Sequence, residues 1–469
     1  MKKGFLTTLL VVTFFALTAV SASAVVNNTV KVGLRYGSSA LPSANLENAV
    51  GGGYAFGYFD EDRCFEMLDW TDETTITMSP MAGGGIQVTV TGTAEVLYET
   101  EEDTLGVLPD GGGDKALTWF KGYKYYGGFE YTRSGSGLQV VNVVDLEDYV
   151  KGVIPYEMGP GWPQSALEAQ AVCARTYVQG HSKHLKDYGF DVCAAICCQV
   201  YNGANSATTV TDDAVDATAG ECLYYDGELV MNAVYHSSDG GATEDAVNVW
   251  GTEVPYLKGK EDPFEAQTNI PNYSWSVTYT AEELTWILQN SGYSIGTVKD
   301  VYVSGRTDQG NVSRVTFVDT SGKELTVRGE ACRMAFYSTT YGKYVRSMRF
   351  EITGGSGEQT SSGGAYYVNG TGTRLSTLAG VSAISGSGTV TKLPAGELCV
   401  LTSSGKATIG GTSGKITSSK TTGTFTITGT GSGHNVGMSQ YGAKAMAEQG
   451  YTYDEILAFY YTDTTIVCR

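Results

Sequence analysis

Charge is scarce in this 469-residue chain, and basic charge is the scarcest part of it. Only 17% of the residues are Asp, Glu, Lys or Arg, against about 25% in an ordinary domain. Lys and Arg number 31 against 50 acids, for a formal net charge of −19. No basic run offsets that excess, so a phosphate backbone would be repelled and nucleic acid is a poor partner class. Beyond residue 20 no apolar stretch is long enough to cross a bilayer. Phe supplies 15 residues, while Tyr supplies 31 and Gly 61, roughly twice the usual glycine share. That makeup speaks against a helical bundle or coiled coil and for strands and turns. A hydrophobic fraction of 42% rules out wholesale disorder. The length allows two to four domains at roughly 100–200 residues each.

The first 24 residues read as a targeting segment. Lys2 and Lys3 precede an apolar run from Phe5 to Val20, and Ala22-Ser23-Ala24 is a small-residue cleavage triplet. An uncleaved anchor is the competing reading. The short run and the triplet favour a cleaved secretory signal, which places the mature protein outside the cell or on the wall side of the cytoplasmic membrane. Nine cysteines follow, at 64, 173, 193, 197, 198, 222, 332, 399 and 468. Export permits disulfides, and an odd number leaves at least one thiol without an intramolecular partner.

Alternation and turn residues predict strands over Thr29–Tyr36, a hairpin around Tyr54–Phe59 and a further strand region over Gly85–Leu97. Glu99–Asp114 reads as an acidic loop, with Asp110–Gly113 as a breaker. Trp162-Pro163 opens a helix with Pro at its first position, and Leu167, Ala171, Ala174 and Val178 form its buried stripe. Val210–Gly220 is short and polar, and Leu223–Ser237 reads as a hairpin turning at Asp226-Gly227. Composition shifts at Thr353. Residues 354–423 form a Gly-, Ser- and Thr-rich insertion whose middle alternates like a small β module, and order returns at Thr424. The domain plan is therefore a signal at 1–24, a main region at 25–353, the insertion, and a closing segment at 424–469. Capping signals predict helices over Ser439–Gln449 and after Thr452.

Four blocks stand out in order. They are Leu146-Glu-Asp-Tyr-Val-Lys-Gly-Val-Ile-Pro-Tyr-Glu-Met158; Glu168-Ala-Gln-Ala-Val-Cys-Ala-Arg-Thr-Tyr177; Tyr235-His-Ser-Ser-Asp-Gly-Gly-Ala-Thr243; and Gly431-Ser-Gly-His-Asn-Val-Gly-Met-Ser-Gln-Tyr-Gly-Ala443. Together they resemble the stage II sporulation protein D family, also called the amidase-enhancer family. The resemblance covers roughly Val30–Ile352 and Thr424–Val467. It implies an α+β fold of mostly antiparallel sheet with packed helices. It also implies a peptidoglycan lytic transglycosylase that cuts the β-1,4 bond between N-acetylmuramic acid and N-acetylglucosamine in strands stripped of stem peptides. The products end in 1,6-anhydro-muramic acid. Other members stimulate a cell-wall amidase instead, so a non-catalytic glycan-binding enhancer is the alternative. A stalk-like adhesin would account for the insertion but for none of the four blocks.

Glu157 matches the family's catalytic glutamate. One carboxyl group suffices for this chemistry: it protonates the glycosidic oxygen, then takes a proton from the sugar's own 6-hydroxyl. Ordinary glycosidases need two carboxyl groups. Such an acid needs a raised pKa, and Val153, Ile154, Pro155, Tyr156 and Met158 offer an apolar setting. Glu147 and Asp148 read as structural. By the same resemblance Arg175 and Tyr177 are candidates for orienting Glu157 or holding the sugar. His236, Ser237, His434 and Gln440 are candidates for lining the glycan cleft. A Ser/His hydrolase is set aside because no Gly-x-Ser-x-Gly elbow surrounds Ser237. Tyr54, Phe56, Tyr58, Phe59, Trp162, Trp250 and Tyr256 are candidate stacking aromatics, most of them core. Some relatives carry zinc on a His and two Cys just before a Cys-Gln step, here Cys198-Gln199. That implies His184, Cys193 and Cys198 as ligands of a structural zinc, with Cys197 clouding the assignment; a Cys193–Cys198 disulfide is the rival.

Overall fold

The computed structural model describes residues 28–354 and 423–468, together with short paired strands between 359 and 416. The targeting segment at 1–24 lies outside the described residues. Among the described residues no helix is long and apolar enough to cross a membrane.

The chain folds as α+β. Its largest sheet has seven strands: β1 (Thr29–Arg35), β2 (Gly53–Phe59), β3 (Phe65–Thr71), β4 (Thr104–Asp110), β5 (Gly128–Ser134), β6 (Gly137–Asp145) and β7 (Val192–Cys193). They lie in the order β7-β1-β6-β5-β4-β2-β3. Every pair is antiparallel except β7 with β1. β4 runs through the segment expected to be an acidic loop. Its Leu105-Gly-Val107 stretch is buried, and burial of that short apolar run outweighs the charged, glycine-rich residues on either side. A six-stranded antiparallel sheet packs nearby, contributing Leu46, Ile76, Ile86 and Val88 to the same core.

β6 is buried along eight of its nine residues and hands the chain directly to helix α1 (Leu146–Glu157). Asp145 caps α1 by accepting from the amides of Glu147 and Asp148. Pro155 lies in the last turn, and the helix ends at Glu157, with Met158 already extended. Helix α2 (Gln164–Gly180) follows, with Pro163 as its N-cap, one position before the expected place. Leu167, Ala171, Ala174 and Val178 are all buried as the spacing predicts. The polar run after Thr208 is helix α3 (Thr209–Ala217), made amphipathic by Ala214 and Val215 and closed by a Thr208–Thr211 capping box. The chain turns at Asp226-Gly227 as expected, with both residues at positive φ, 51° and 82°, but the second arm ends at Leu229 rather than Ser237, and Tyr235–His236 pair with Met438–Ser439 instead.

Two cores result. The first joins both large sheets, α1, α2 and α3 to the chain's end, through Val436, Met438, Met446, Ile456 and Tyr460. These come from helices α4 (Gln440–Glu448) and α5 (Tyr453–Tyr460) and the residues before them. The second gathers residues 279–352 with Phe425 and Ile427. Thr424–Thr430 pairs with both Ser274–Thr280 and Phe350–Gly354, so the chain passes through the second core on its way back to the first.

Candidate active site and thiol cluster

Glu157 sits half-buried at the C-terminal end of α1. The parallel pairing of β8 (Tyr235–His236) with β9 (Met438–Ser439) brings the third and fourth sequence blocks to it. Gln440, the first residue of α4, donates from Nε2 to Glu157 Oε2 at 3.1 Å and to Gln170 Oε1 at 3.3 Å. A polar chain runs on from the same place. Tyr149 Oη donates to Gln199 Oε1 at 3.0 Å, and Gln199 Nε2 donates to Tyr235 Oη at 3.0 Å. Burial raises the Glu157 carboxyl above the usual carboxylate range; hydrogen bonds from Gln440, the Val200 amide and Tyr235 pull the other way. Every one of those partners is uncharged at neutral pH. Glu157 is therefore a single acid in a neutral, partly desolvated setting, able to hold a proton and give it up.

The other candidate residues separate around this centre. Arg175 is fully buried, which corrects the expectation that it touches Glu157 or sugar. Nε and Nη2 grip Glu147 at 2.8 and 2.6 Å, and the remaining bonds go to the carbonyls of Glu221 and Val215. It locks the start of α1 to α2 and the ends of α3, with no atom left for a ligand. Tyr177 stacks on His181, with centroids 3.9 Å apart. His236 is buried, its Nδ1 paired with the Val436 carbonyl at 3.1 Å. Its ring faces His434 at 5.4 Å, and His434 in turn faces Trp250 at 5.1 Å. Burial holds His434 down to about 4, so this pair is neutral at pH 7. Ser237 contributes its carbonyl, which accepts from the Tyr441 amide at 3.0 Å. Among the described residues no hydrogen bond joins Tyr177, His236, Ser237 or His434 to the Glu157 carboxylate. Of the aromatic candidates, Tyr54, Phe56 and Tyr256 are core, whereas Trp162 packs on Tyr441, next to Gln440, at 5.0 Å.

Sequence reasoning passed over Gln170, Gln199, Tyr149 and Tyr235. Three of them lie inside the quoted blocks, but an uncharged amide or phenol carries no signal until its partner is known.

A second cluster lies where β7 ends. One nitrogen of His184 and the sulfurs of Cys193, Cys197 and Cys198 all fall within 4.8 Å of one another. Cys193 and Cys197 sulfurs are 2.7 Å apart, and all four side chains are unbridged. His184 Nε2 is buried with no hydrogen-bond partner. Tyr36 and Phe190 wall the imidazole at 5.7 and 5.2 Å. Hydrogen bonding from Cys198 pulls the Cys193 thiol down, against its burial. Cys197, whose place was ambiguous in sequence, joins the expected three.

The family described as Stage II sporulation protein matches residues 134–225, which hold α1, α2 and the thiol cluster. An uncharacterized protein of Brachyspira hyodysenteriae is 31% identical over 348 residues, 74% of this chain and 73% of that one. The amidase enhancer of Bacillus subtilis is 32% identical over 68% of this chain, which spans 40% of the enhancer's length. Stage II sporulation protein D of the same species is 27% identical over 70% of this chain and 76% of its own. With its four blocks gathered around one glutamate and relatives of this kind along most of its length, the chain belongs to the stage II sporulation protein D family.

Proposed function

We propose that this is an exported cell-wall enzyme, a lytic transglycosylase that cleaves peptidoglycan strands free of stem peptides, with Glu157 as its only acid and base. The observation that carries the reading is the setting of that carboxyl: raised by burial and, among the described residues, held by Gln440, Val200 and Tyr235 with no charged partner. Protonated Glu157 gives its proton to the glycosidic oxygen as the C1–O bond breaks. The carboxylate left behind takes the proton of the muramic acid 6-hydroxyl while that oxygen closes on C1. The bond count and the protons balance without water, and Glu157 returns to its starting form. Gln440 and Tyr235 orient the carboxyl. The relatives' names, stage II sporulation protein D and amidase enhancer, support a sporulation or wall-remodelling setting. Residues 1–24 support export.

Residues His184, Cys193, Cys197 and Cys198 fit a structural zinc. A His/Cys₃ set with an orphaned imidazole nitrogen is the donor chemistry that Zn²⁺ takes in closed sites. Bound there, it would hold the segment after α2 to the end of β7, and no catalytic step passes through it.

The test is direct. Mature protein (residues 25–469) and its Glu157→Gln variant are incubated with purified stem-peptide-free strands, and the products are read by mass spectrometry. Anhydro-muramic ends are expected from the parent, with a loss of at least about 10²-fold in the variant. Reducing ends would replace the reading with hydrolysis. Strands retained but uncut by the parent would leave the enhancer reading of the B. subtilis relative in its place.

A further inference from the structure

Around the Asp239-Gly-Gly turn lie three carboxylates that the proposed chemistry does not use. Asp239, Asp262 and Glu265 are 0%, 3% and 2% exposed. One oxygen from each falls within 4.8 Å of the other two. Among the described residues none of them pairs with a Lys or Arg.

Two of them are well supplied with donors. Glu265 accepts from the amides of Asp239 and Gly240 at 2.7 and 2.9 Å, from Ser238 Oγ at 2.8 Å, and from Ser439 Oγ. Asp262 accepts from Tyr460 Oη at 2.6 Å and from the amides of Phe264 and Glu265. Both carboxylates thus receive donors on both oxygens. Asp239 differs. Its Oδ1 accepts from the Gly241 amide at 2.6 Å, while its Oδ2 is buried and meets no donor group among the described residues. A wholly buried, unpartnered oxygen facing two anions is an arrangement that folding does not tolerate without compensation. One proton on Asp239 would leave two anions side by side. A divalent cation leaves only one unit of charge uncompensated.

We propose that Asp239, Asp262 and Glu265 form a binding site for a hard divalent cation, Ca²⁺, with Asp239 Oδ2 as the oxygen reserved for it. Ca²⁺ binds oxygen at 2.3–2.6 Å, so oxygens that share one ion lie no more than about 4.6–5.2 Å apart, a limit that these three meet. Mg²⁺ keeps several of its waters and is poorly served by an all-protein cage. The Ser238 and Ser439 hydroxyls can turn, which frees a Glu265 oxygen for the ion. All-oxygen ligation also separates this site from the thiol cluster, which selects a softer metal. The cation ties the residue 239 turn to residues 262–265 and, through Ser439, to the start of α4. Ser439 caps that helix at the Gly442 amide, 3.1 Å, and its neighbour is Gln440. Only this last link to Glu157 rests on the proposed function; the site itself does not.

Tyr460, bonded to Asp262, is a built-in antenna for terbium, a Ca²⁺ mimic. Zinc-replete mature protein is freed of calcium and titrated with Tb³⁺ under tyrosine excitation, then with Ca²⁺ in competition. One saturable Tb³⁺ per chain is expected, displaced by Ca²⁺ at or below about 10⁻⁴–10⁻³ M. Ca²⁺ should raise the Tm of the parent, and Asp239→Asn should weaken binding at least tenfold with an unchanged circular dichroism spectrum. Hydrogen exchange on the parent gives a readout free of any folding defect in the variant. Ca²⁺ should slow exchange in residues 236–242, 261–265 and 436–442. No saturable binding, binding that Asp239→Asn leaves intact, or slowing confined to other segments would each overturn the site, whatever the protein does to glycan.

Discussion

At the scale of single residues, Glu157 and Arg175 are both singled out in the sequence, the first as the acid and the second as its candidate partner, and they have opposite fates in the fold. Both are charged residues inside a quoted block. Glu157 ends its helix half-buried among neutral donors, whereas Arg175 points into the protein and is consumed by Glu147. Chain position within a block was legible; which way a side chain faces depends on the packing of α2 against α1 and was not. The raised Glu157 carboxyl makes a prediction of its own. Its folded pKa lies above the unfolded one, near about 4.3, so the ionised form costs stability. That cost is present in full above the folded pKa and disappears as pH falls below the unfolded value. Each tenfold difference in proton affinity between the folded and unfolded chain is worth about 1.4 kcal/mol. Glu157→Gln should therefore melt at a higher temperature than the parent at pH 7, with the gap closing by about pH 4. Cleavage by the parent should fall on the alkaline side as the same group loses its proton. Equal melting temperatures at both pH values would show a solvated carboxyl, unfit to be the acid.

Elements that owe their form to local pattern were legible: α2 from its apolar spacing, the hairpin from Asp226-Gly227, the last helix from its capping box. Those decided by distant partners were not. β4 is drawn out of an acidic loop by its neighbours β5 and β2, and the short pairing of β8 with β9 joins residues about 200 positions apart. That pairing carries Gln440 to Glu157, so the candidate site could be named from the sequence but not assembled from it. Around β7 the family resemblance names three candidate donors, His184, Cys193 and Cys198, and the fold adds a fourth, Cys197. Four donors converge there and all are unbridged. Protein prepared without chelator should carry one zinc per chain. Its Cys193, Cys197 and Cys198 thiols should react with an alkylating reagent only after a strong chelator is added, and chelation should lower the Tm. A disulfide predicts the reverse, thiols appearing only after a reductant, and that result would remove the zinc.

For the whole molecule, the question is how a chain interrupted at Thr353 still closes its first core. The answer lies in the pairing of Phe350–Gly354 with Thr424–Thr430. Gly354 stands opposite Phe425, so the two ends of the insertion leave the second core as adjacent antiparallel strands, roughly 5 Å apart. A connection across that gap needs only a hairpin loop of two to five residues. Everything the first core requires from the end of the chain, Val436 through Tyr461, lies beyond the return strand. The insertion thus enters and leaves through one edge of the second core, and Gln440 reaches Glu157 by a path that does not involve it. Replacing residues 355–422 with a short Asn-Gly turn should leave the Tm within a few degrees of the parent and glycan cleavage within about twofold. The loop-closure term favours the shorter connection, by only about 0.6 kcal/mol per halving of loop length. Retained stability with lost cleavage would make the insertion part of the substrate path. A large fall in Tm would show that residues 355–422 help to hold the two cores, which the adjacency of Gly354 and Phe425 argues against.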